Sequence, residues 1–166
     1  QAVPPKYEEP MLSGKHLNPA ALAEEFSYRK AASLAEDYSD RVILGADTVV
    51  ARDDEVFGKP DDVEDARRIL SALLGTTQQV ITGVTLLHAV SGHRLTRHEV
   101  THVTMRQMTE KELEQYLIQG DWKGKAGAYG IQWQADRFIE RCEGSYSNVV
   151  GLPLELVERM LAEFSS

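Results

Sequence analysis

The chain has 166 residues with 26 acidic and 18 basic side chains, which gives a net charge of −8. This length predicts a single domain, residues 1–166, with a substantial core. The acidic balance argues against a nucleic-acid-binding protein, because no basic stripe is present to meet phosphates. The single cysteine, Cys142, excludes an intramolecular disulfide and predicts a reducing compartment, the cytoplasm. No apolar run reaches the length of a membrane span.

Helices and strands alternate along most of the chain after a proline-containing segment, residues 1–17. Helices are predicted at residues 20–37, 61–74, 109–119 and 153–164, and strands at 42–51, 55–57, 79–90, 94–106 and 137–143. Asn18 predicts the cap of the first helix, and two capping boxes are predicted, Asp61 with Glu64 for the second helix and Thr109 with Glu112 for the third. The two long strands around Ser91-Gly92-His93 form a predicted hairpin, which breaks a pure βαβ pattern. The pattern therefore favours a mixed sheet surrounded by helices.

The first candidate for chemistry is Asp47, the one carboxylate inside the apolar run at residues 42–51. Burying an unpaired carboxylate costs several kcal/mol, so Asp47 should lie at a cleft or hold a cation. Twelve residues later, Lys59 stands between Gly58 and Pro60, where a short turn returns a cation to the same edge. A carboxylate and an ammonium group in this arrangement suit a phosphate-and-metal site. A surface aspartate and an ordinary turn lysine are the alternative.

The histidines and the glycine-rich segments are weaker candidates. His98 and His102 on the predicted hairpin lie about 13 Å apart at ~3.3 Å per residue, too far to share a metal ion. Solvated histidines are the preferred interpretation, and Cys142 is interpreted as a buried structural thiol. The small residues at 124–132 and 144–153 could bring backbone amides close to a ligand, or could form a crossover loop and a turn.

Five of these segments occur in an order that resembles a known family. They are Gly45-Ala46-Asp47-Thr48-Val49-Val50, Gly58-Lys59-Pro60, Thr82-Gly83-Val84, residues 125–132 and residues 144–153. In this order and at these spacings they resemble the Maf (septum-formation) family of nucleoside triphosphate pyrophosphatases, which is related in fold to inosine triphosphatases.

The resemblance implies an α/β fold with a twisted mixed sheet, flanking helices and two lobes around an active-site cleft. It implies a house-cleaning hydrolase that converts pyrimidine nucleotides, such as dTTP, UTP and modified forms, to the monophosphate and pyrophosphate. A divalent cation (Mg²⁺, Mn²⁺ or Co²⁺) is the implied cofactor. A homodimer without nucleic-acid or membrane partners is the implied assembly.

The resemblance also assigns roles to individual residues, with Asp47 as the proton acceptor for the attacking water. The implied catalytic residues are Asp47 and Lys59, the substrate-binding residues Thr48, Gln132 and Lys30, and the metal ligands Asp47 and Glu9.

Two departures from the family keep alternatives open. The family's N-terminal strand and Ser-x-Ser-Pro-Arg-Arg loop are not found within residues 1–166, and a chain without these arginines is expected to hydrolyse nucleotides poorly. Trp133 stands where members of the family usually carry glycine after the Ile-Gln pair, and its bulk is expected to alter the base pocket. One alternative is therefore a non-catalytic Maf-derived nucleotide-binding or regulatory module. The other is the same chemistry on 7-methyl-GTP or another purine nucleotide.

Overall fold

A five-stranded sheet flanked by helices forms the protein, as seen in a computed structural model that describes residues 2–8, 18–53, 55–131 and 137–165. The strands are β1 (Val42–Arg52), β2 (Glu55–Phe57), β3 (Thr77–His88), β4 (His93–Met105) and β5 (Ile139–Glu143). The helices are α1 (Pro19–Ala32), α2 (Val63–Leu73), α3 (Glu110–Gln119), α4 (Tyr146–Val150) and α5 (Leu154–Phe164). The predicted α/β class is confirmed. Within the described ranges, no helix is long and apolar enough to cross a membrane.

The strand order is β2-β1-β3-β4-β5, and every neighbouring pair is antiparallel. The predicted mixed sheet is therefore wrong for the described strands. The crossover through α2 joins β2 to β3, and both of these strands run antiparallel to β1. They are thus parallel to each other, but β1 lies between them, so this crossover creates no parallel ladder.

The two central strands are covered on both faces, as the continuous apolar run predicted. One face of β1 and β3 carries α1, which buries Ala23, Phe26 and Ala31. The opposite face packs against α2, α3 and the 3₁₀ turn at Ala126–Ala128. Because side chains alternate along a strand, consecutive residues of β1 face these two layers in turn.

Two glycines let α1 lie unusually close to the sheet. A Cβ atom on Gly83 would lie 2.2 Å from the Ala23 carbonyl oxygen, and one on Gly45 would lie 2.2 Å from the Ser27 carbonyl oxygen. The Ser27 hydroxyl also reaches across to the Thr85 hydroxyl at 2.8 Å. The last turn of α1 is thereby held directly over β1.

The helix ends follow local capping, with two differences from the predictions. The Thr109–Glu112 capping box is confirmed, with both reciprocal bonds present. The first helix ends at Ala32 rather than near residue 37. Just after its last residue, the Ser33 hydroxyl donates to the Lys30 carbonyl at 2.8 Å. The second helix is capped by Asp62, whose carboxylate accepts from the Asp65 amide at 2.8 Å, rather than by Asp61.

Gly83→Ala should lower the free energy of unfolding by about 3 kcal/mol, because the added methyl group meets the backbone of α1 rather than a flexible side chain. Gly92→Ala is the control, since its Cβ meets open space and only its positive φ of 69° is penalised, at about 1 kcal/mol. Urea denaturation measures both variants. Equal losses would show that the close approach of α1 is not a constraint.

Candidate active site

A cavity of about 280 Å³ opens beside β1, close to the lower end of the volumes typical of small-molecule sites. Strand β2 pairs only with residues 50–52 of β1. In the described ranges, no strand lies against the same edge at residues 46–48, and the cavity occupies this position. Its charged, polar and apolar walls include Lys30, Asp47, Lys59, Lys125, Thr48, Val50, Val80 and Val149.

Asp47 pairs with Lys30 at this edge of the sheet. The lysine Nζ donates to Asp47 Oδ1, and the side chains are 17% and 4% exposed. Asp47 stands opposite Gly83 in the β1–β3 ladder, on the face covered by α1. Because α1 rests on the backbone of that glycine, the lysine in its last turn can reach the carboxylate. The opposite charge offsets the cost of burying the carboxylate, as the sequence required of this residue.

Thr48 lies on the opposite face of β1 from Asp47. Its Oγ1 is 2.8 Å from Thr82 Oγ1 on β3, and the side chain is half-buried. Val50 and Val80, paired with each other in the β1–β3 ladder, continue this uncharged wall. One strand therefore presents a carboxylate to one side of the cavity and a hydroxyl to the other.

The segment Gly58-Lys59-Pro60 is held against the 3₁₀ turn. The Gly127 amide donates to the Gly58 carbonyl at 3.0 Å. Gly127 has a φ of 70°, and a Cβ there would lie 2.9 Å from Val50 Cγ2, so the position requires glycine on two grounds. This contact fixes the backbone beside Lys59, which lines the cavity.

The glycine-rich segment after the third helix contributes a lysine and a tyrosine to the cavity wall. Lys125 lines it and donates to the Asp121 carbonyl. Tyr129 also lines it, with its hydroxyl 3.1 Å from the side-chain amide of Gln78. Burial raises the pKa of the Tyr129 hydroxyl, so this group stays protonated at neutral pH.

Helix α4 and the glycine that follows it form a further wall with Val149, Val150 and Gly151. It was not predicted, because residues 144–153 were interpreted as a turn or an amide-rich loop. Two serine hydroxyls anchor it to Glu155, at 2.9 Å from Ser145 and 2.7 Å from Ser147. Bonds from the Glu155 amide and from these hydroxyls lower the pKa of the Glu155 carboxyl.

Four of the residues singled out in the sequence line this cavity: Lys30, Asp47, Thr48 and Lys59. Glu9 and Gln132 lie outside the described residues, as does Trp133. Sequence reasoning did not include Lys125 among the site residues, although its place between glycines in residues 124–130 was a usable signal. It also assigned no role in the site to Thr82, which is fully buried and bonds to Thr48.

The hairpin histidines lie elsewhere. Within the described ranges, no group of three or more His, Cys, Asp or Glu side chains could hold a metal ion. His98 Nδ1 is 2.7 Å from a carboxylate oxygen of Glu24, which joins β4 to α1. Cys142 is half-buried against the core, and burial raises the pKa of its thiol.

Lys30→Met should lower the free energy of unfolding by about 3 kcal/mol, because it leaves the Asp47 carboxylate buried without this partner. The double variant Lys30→Met/Asp47→Asn should lose less, since it removes the charge as well. Lys111→Met, at an exposed position, is the control and should stay within about 0.5 kcal/mol of the parent. Chemical denaturation supplies the values, and equal losses in the single and double variants would contradict the pairing argument.

Comparison with known proteins assigns the chain to a family. Residues 1–164 match a family model described as "Maf-like protein". A relative from Pelotomaculum thermopropionicum, named dTTP/UTP pyrophosphatase, is 43% identical over 148 residues, covering 89% of this chain and 78% of the relative. A protein of the same name from Ruminiclostridium cellulolyticum is 40% identical over 167 residues, covering 99% of this chain and 85% of the relative. This chain belongs to the Maf family.

Proposed function

We propose that this protein is a nucleoside triphosphate pyrophosphatase that hydrolyses dTTP, UTP and modified forms of them to the monophosphate and pyrophosphate. The observation that carries the proposal is a cavity that combines one buried carboxylate, Asp47, with three lysines. Relatives of the same family, about 40% identical over most of the chain, bear the name dTTP/UTP pyrophosphatase.

The proposed reaction uses Asp47 as a general base. A water molecule attacks the α-phosphorus while the carboxylate accepts its proton. The new bond joins the water oxygen to the α-phosphorus, and the bond from that phosphorus to the oxygen bridging to the β-phosphorus breaks. Pyrophosphate leaves with that bridging oxygen. Lys30 orients the carboxylate by its ion pair, so the base is held in place before the nucleotide binds.

The lysines supply positive charge to a protein that is acidic overall. Lys30, Lys59 and Lys125 line one cavity of about 280 Å³, so their charges are concentrated where a triphosphate would bind. A local cluster of this kind attracts an anion despite the net charge of −8. We assign Lys59 and Lys125 to the phosphates, and Lys30 both to Asp47 and to the nucleotide.

The donor set fits a divalent cation only together with the nucleotide. Asp47 is the one carboxylate that lines the cavity among the described residues, and Glu9 lies outside them. Mg²⁺ in nucleotide sites is bound by one or two carboxylates together with phosphate oxygens and water. When bound to Asp47 and the phosphates, Mg²⁺, Mn²⁺ or Co²⁺ would polarise the α-phosphoryl group and offset charge on the leaving pyrophosphate.

Base choice belongs to the same proposal. Thr48 stands on the uncharged wall beside Val50 and Val80, where a base rather than a phosphate fits. Gln132, outside the described residues, is assigned to the same task, because a side-chain amide offers both a donor and an acceptor to a pyrimidine edge. We further infer a homodimer in the cytoplasm, as the family resemblance and the single cysteine suggest.

Removal of divalent metal should abolish pyrophosphate release from UTP. The full-length protein treated with EDTA should lose turnover and regain it on addition of excess Mg²⁺, while its melting temperature without nucleotide changes little. The last expectation follows because the described residues hold no metal cluster that the fold depends on. Undiminished turnover in EDTA would contradict the metal assignment, including Asp47 as a metal ligand, and would leave the assignment of Asp47 as general base unaffected.

Asp47→Asn should lower the turnover of UTP by at least about 10²-fold, because it keeps the shape of the side chain but removes the proton acceptor. Asp37→Asn is the matched control, since Asp37 pairs with Lys6 on the surface away from the cavity. The assay measures pyrophosphate and monophosphate from UTP, dTTP, CTP, GTP and 7-methyl-GTP.

Three outcomes would contradict the proposal. Orthophosphate as the product would exclude cleavage between the α- and β-phosphates. A purine nucleotide as the best substrate would favour the purine alternative. Binding of UTP without any product would favour a nucleotide-binding module.

A further inference from the structure

The Thr48 hydroxyl is the first member of a hydrogen-bond chain that runs into the core. Thr48 Oγ1 lies 2.8 Å from Thr82 Oγ1, and Thr82 Oγ1 lies 3.2 Å from the backbone carbonyl oxygen of Asn148. Thr82 and Asn148 are fully buried, so solvent offers them no other partners. Only Thr48 reaches the cavity.

The Asn148 carbonyl, at the buried end of this series of hydrogen bonds, determines the direction in which the two threonine hydroxyls donate. A carbonyl oxygen can only accept, so the single proton of the Thr82 hydroxyl is directed to Asn148. Thr82 therefore accepts from Thr48, and the Thr48 proton points inward. The reverse polarity would set the Thr82 oxygen against the Asn148 oxygen at 3.2 Å with no proton between them, a buried contact that costs free energy.

Asn148 is itself held in place, so its carbonyl cannot turn away. Its side-chain amide donates to the Val80 carbonyl at 3.0 Å and to the Thr101 hydroxyl at 3.0 Å. Its carbonyl also accepts from the Gly151 amide at 2.9 Å. The acceptor that orients Thr82 is thus fixed by both β3 and β4.

We propose that Thr82 and Asn148 fix the Thr48 hydroxyl as a pure hydrogen-bond acceptor toward the cavity, and that this selects uracil and thymine against cytosine. This inference rests on the proposed function. In a nucleotide, the N3–H group is the one ring donor on the edge of uracil or thymine, so it is the group that an acceptor can bind. Cytosine carries an unprotonated nitrogen at N3, so an acceptor that faces N3 would stand against a second acceptor, and the donor of cytosine lies on its exocyclic amine instead.

Thr82 is therefore a positioning residue, and its removal has a defined effect. In Thr82→Val the Thr48 hydroxyl loses its fixed acceptor and can turn its proton toward the ligand. Cytosine then gains a donor for N3, while uracil keeps an acceptor at some cost. Asn148 retains the Gly151 amide as a partner, so the variant leaves that carbonyl bonded.

The test measures dissociation constants for UTP and CTP by calorimetry, together with kcat/KM for both, in the full-length protein. The parent should favour UTP, and Thr82→Val should reduce the UTP:CTP ratio about tenfold, which corresponds to one neutral hydrogen bond. Thr82→Ser restores the hydroxyl and should keep the parental ratio. If Thr82→Val does not fold, Thr82→Ala makes the same chemical change with a smaller side chain.

Thr85→Val is the control for the loss of a buried hydroxyl on β3. Thr85 is also fully buried, and it bonds to Ser27 and Thr96 away from the cavity. It should leave the UTP:CTP ratio unchanged. An unchanged ratio in Thr82→Val and Thr82→Ala, or an equal change in Thr85→Val, would overturn the inference.

The binding ratio keeps this test separate from that of the proposed function. A parent protein that binds UTP more tightly than CTP but releases no pyrophosphate would contradict the enzyme assignment. It would leave intact the inference that the Thr48 hydroxyl acts as an acceptor toward the base. A parent that cleaves UTP with no preference over CTP would overturn the inference and leave the pyrophosphatase assignment intact.

Discussion

The contact between the backbone of α1 and the two glycines beneath it supports the whole site. A helix separated from the sheet by ordinary side chains would stand further from β1. At Gly45 and Gly83 there is no Cβ, so the helix rests on the strands themselves. Lys30 then meets Asp47, and a carboxylate can remain in a buried strand. The close packing of the helix and the charge pairing in the site therefore depend on the same two glycines.

The alternation of side chains along β1 separates two tasks. Asp47 faces the layer formed by α1, and Thr48 faces the layer formed by the 3₁₀ turn and α4. The cavity lies where β2 has ended, so a ligand at this edge can reach both faces of one strand. The proposed chemistry and the proposed base choice are thus one residue apart in sequence but on opposite sides of the sheet.

The sequence predicted most of what is local. Asp47 was identifiable because it is the one charged residue inside an apolar run, and the Thr109–Glu112 box determines a helix start without help from the rest of the chain. The sheet direction was not predictable in this way, because the pattern shows that α2 joins two strands but not that β1 lies between them. The role of Thr82 in the site was missed for a similar reason. A threonine in a strand has no local feature that reveals a bond to Asn148, 66 residues away.

The hydrogen bonds around Asn148 have a consequence for how this pocket can change over evolutionary time. The same side chain joins α4 to β3 and β4, and the same backbone carbonyl sets the polarity of the cavity hydroxyl. The effects of substitutions in such a connected set on stability are not additive. A single change that alters the ligand preference of this wall also removes hydrogen bonds in the core. A lineage could alter this wall only by paired substitutions, or by first acquiring surplus stability elsewhere.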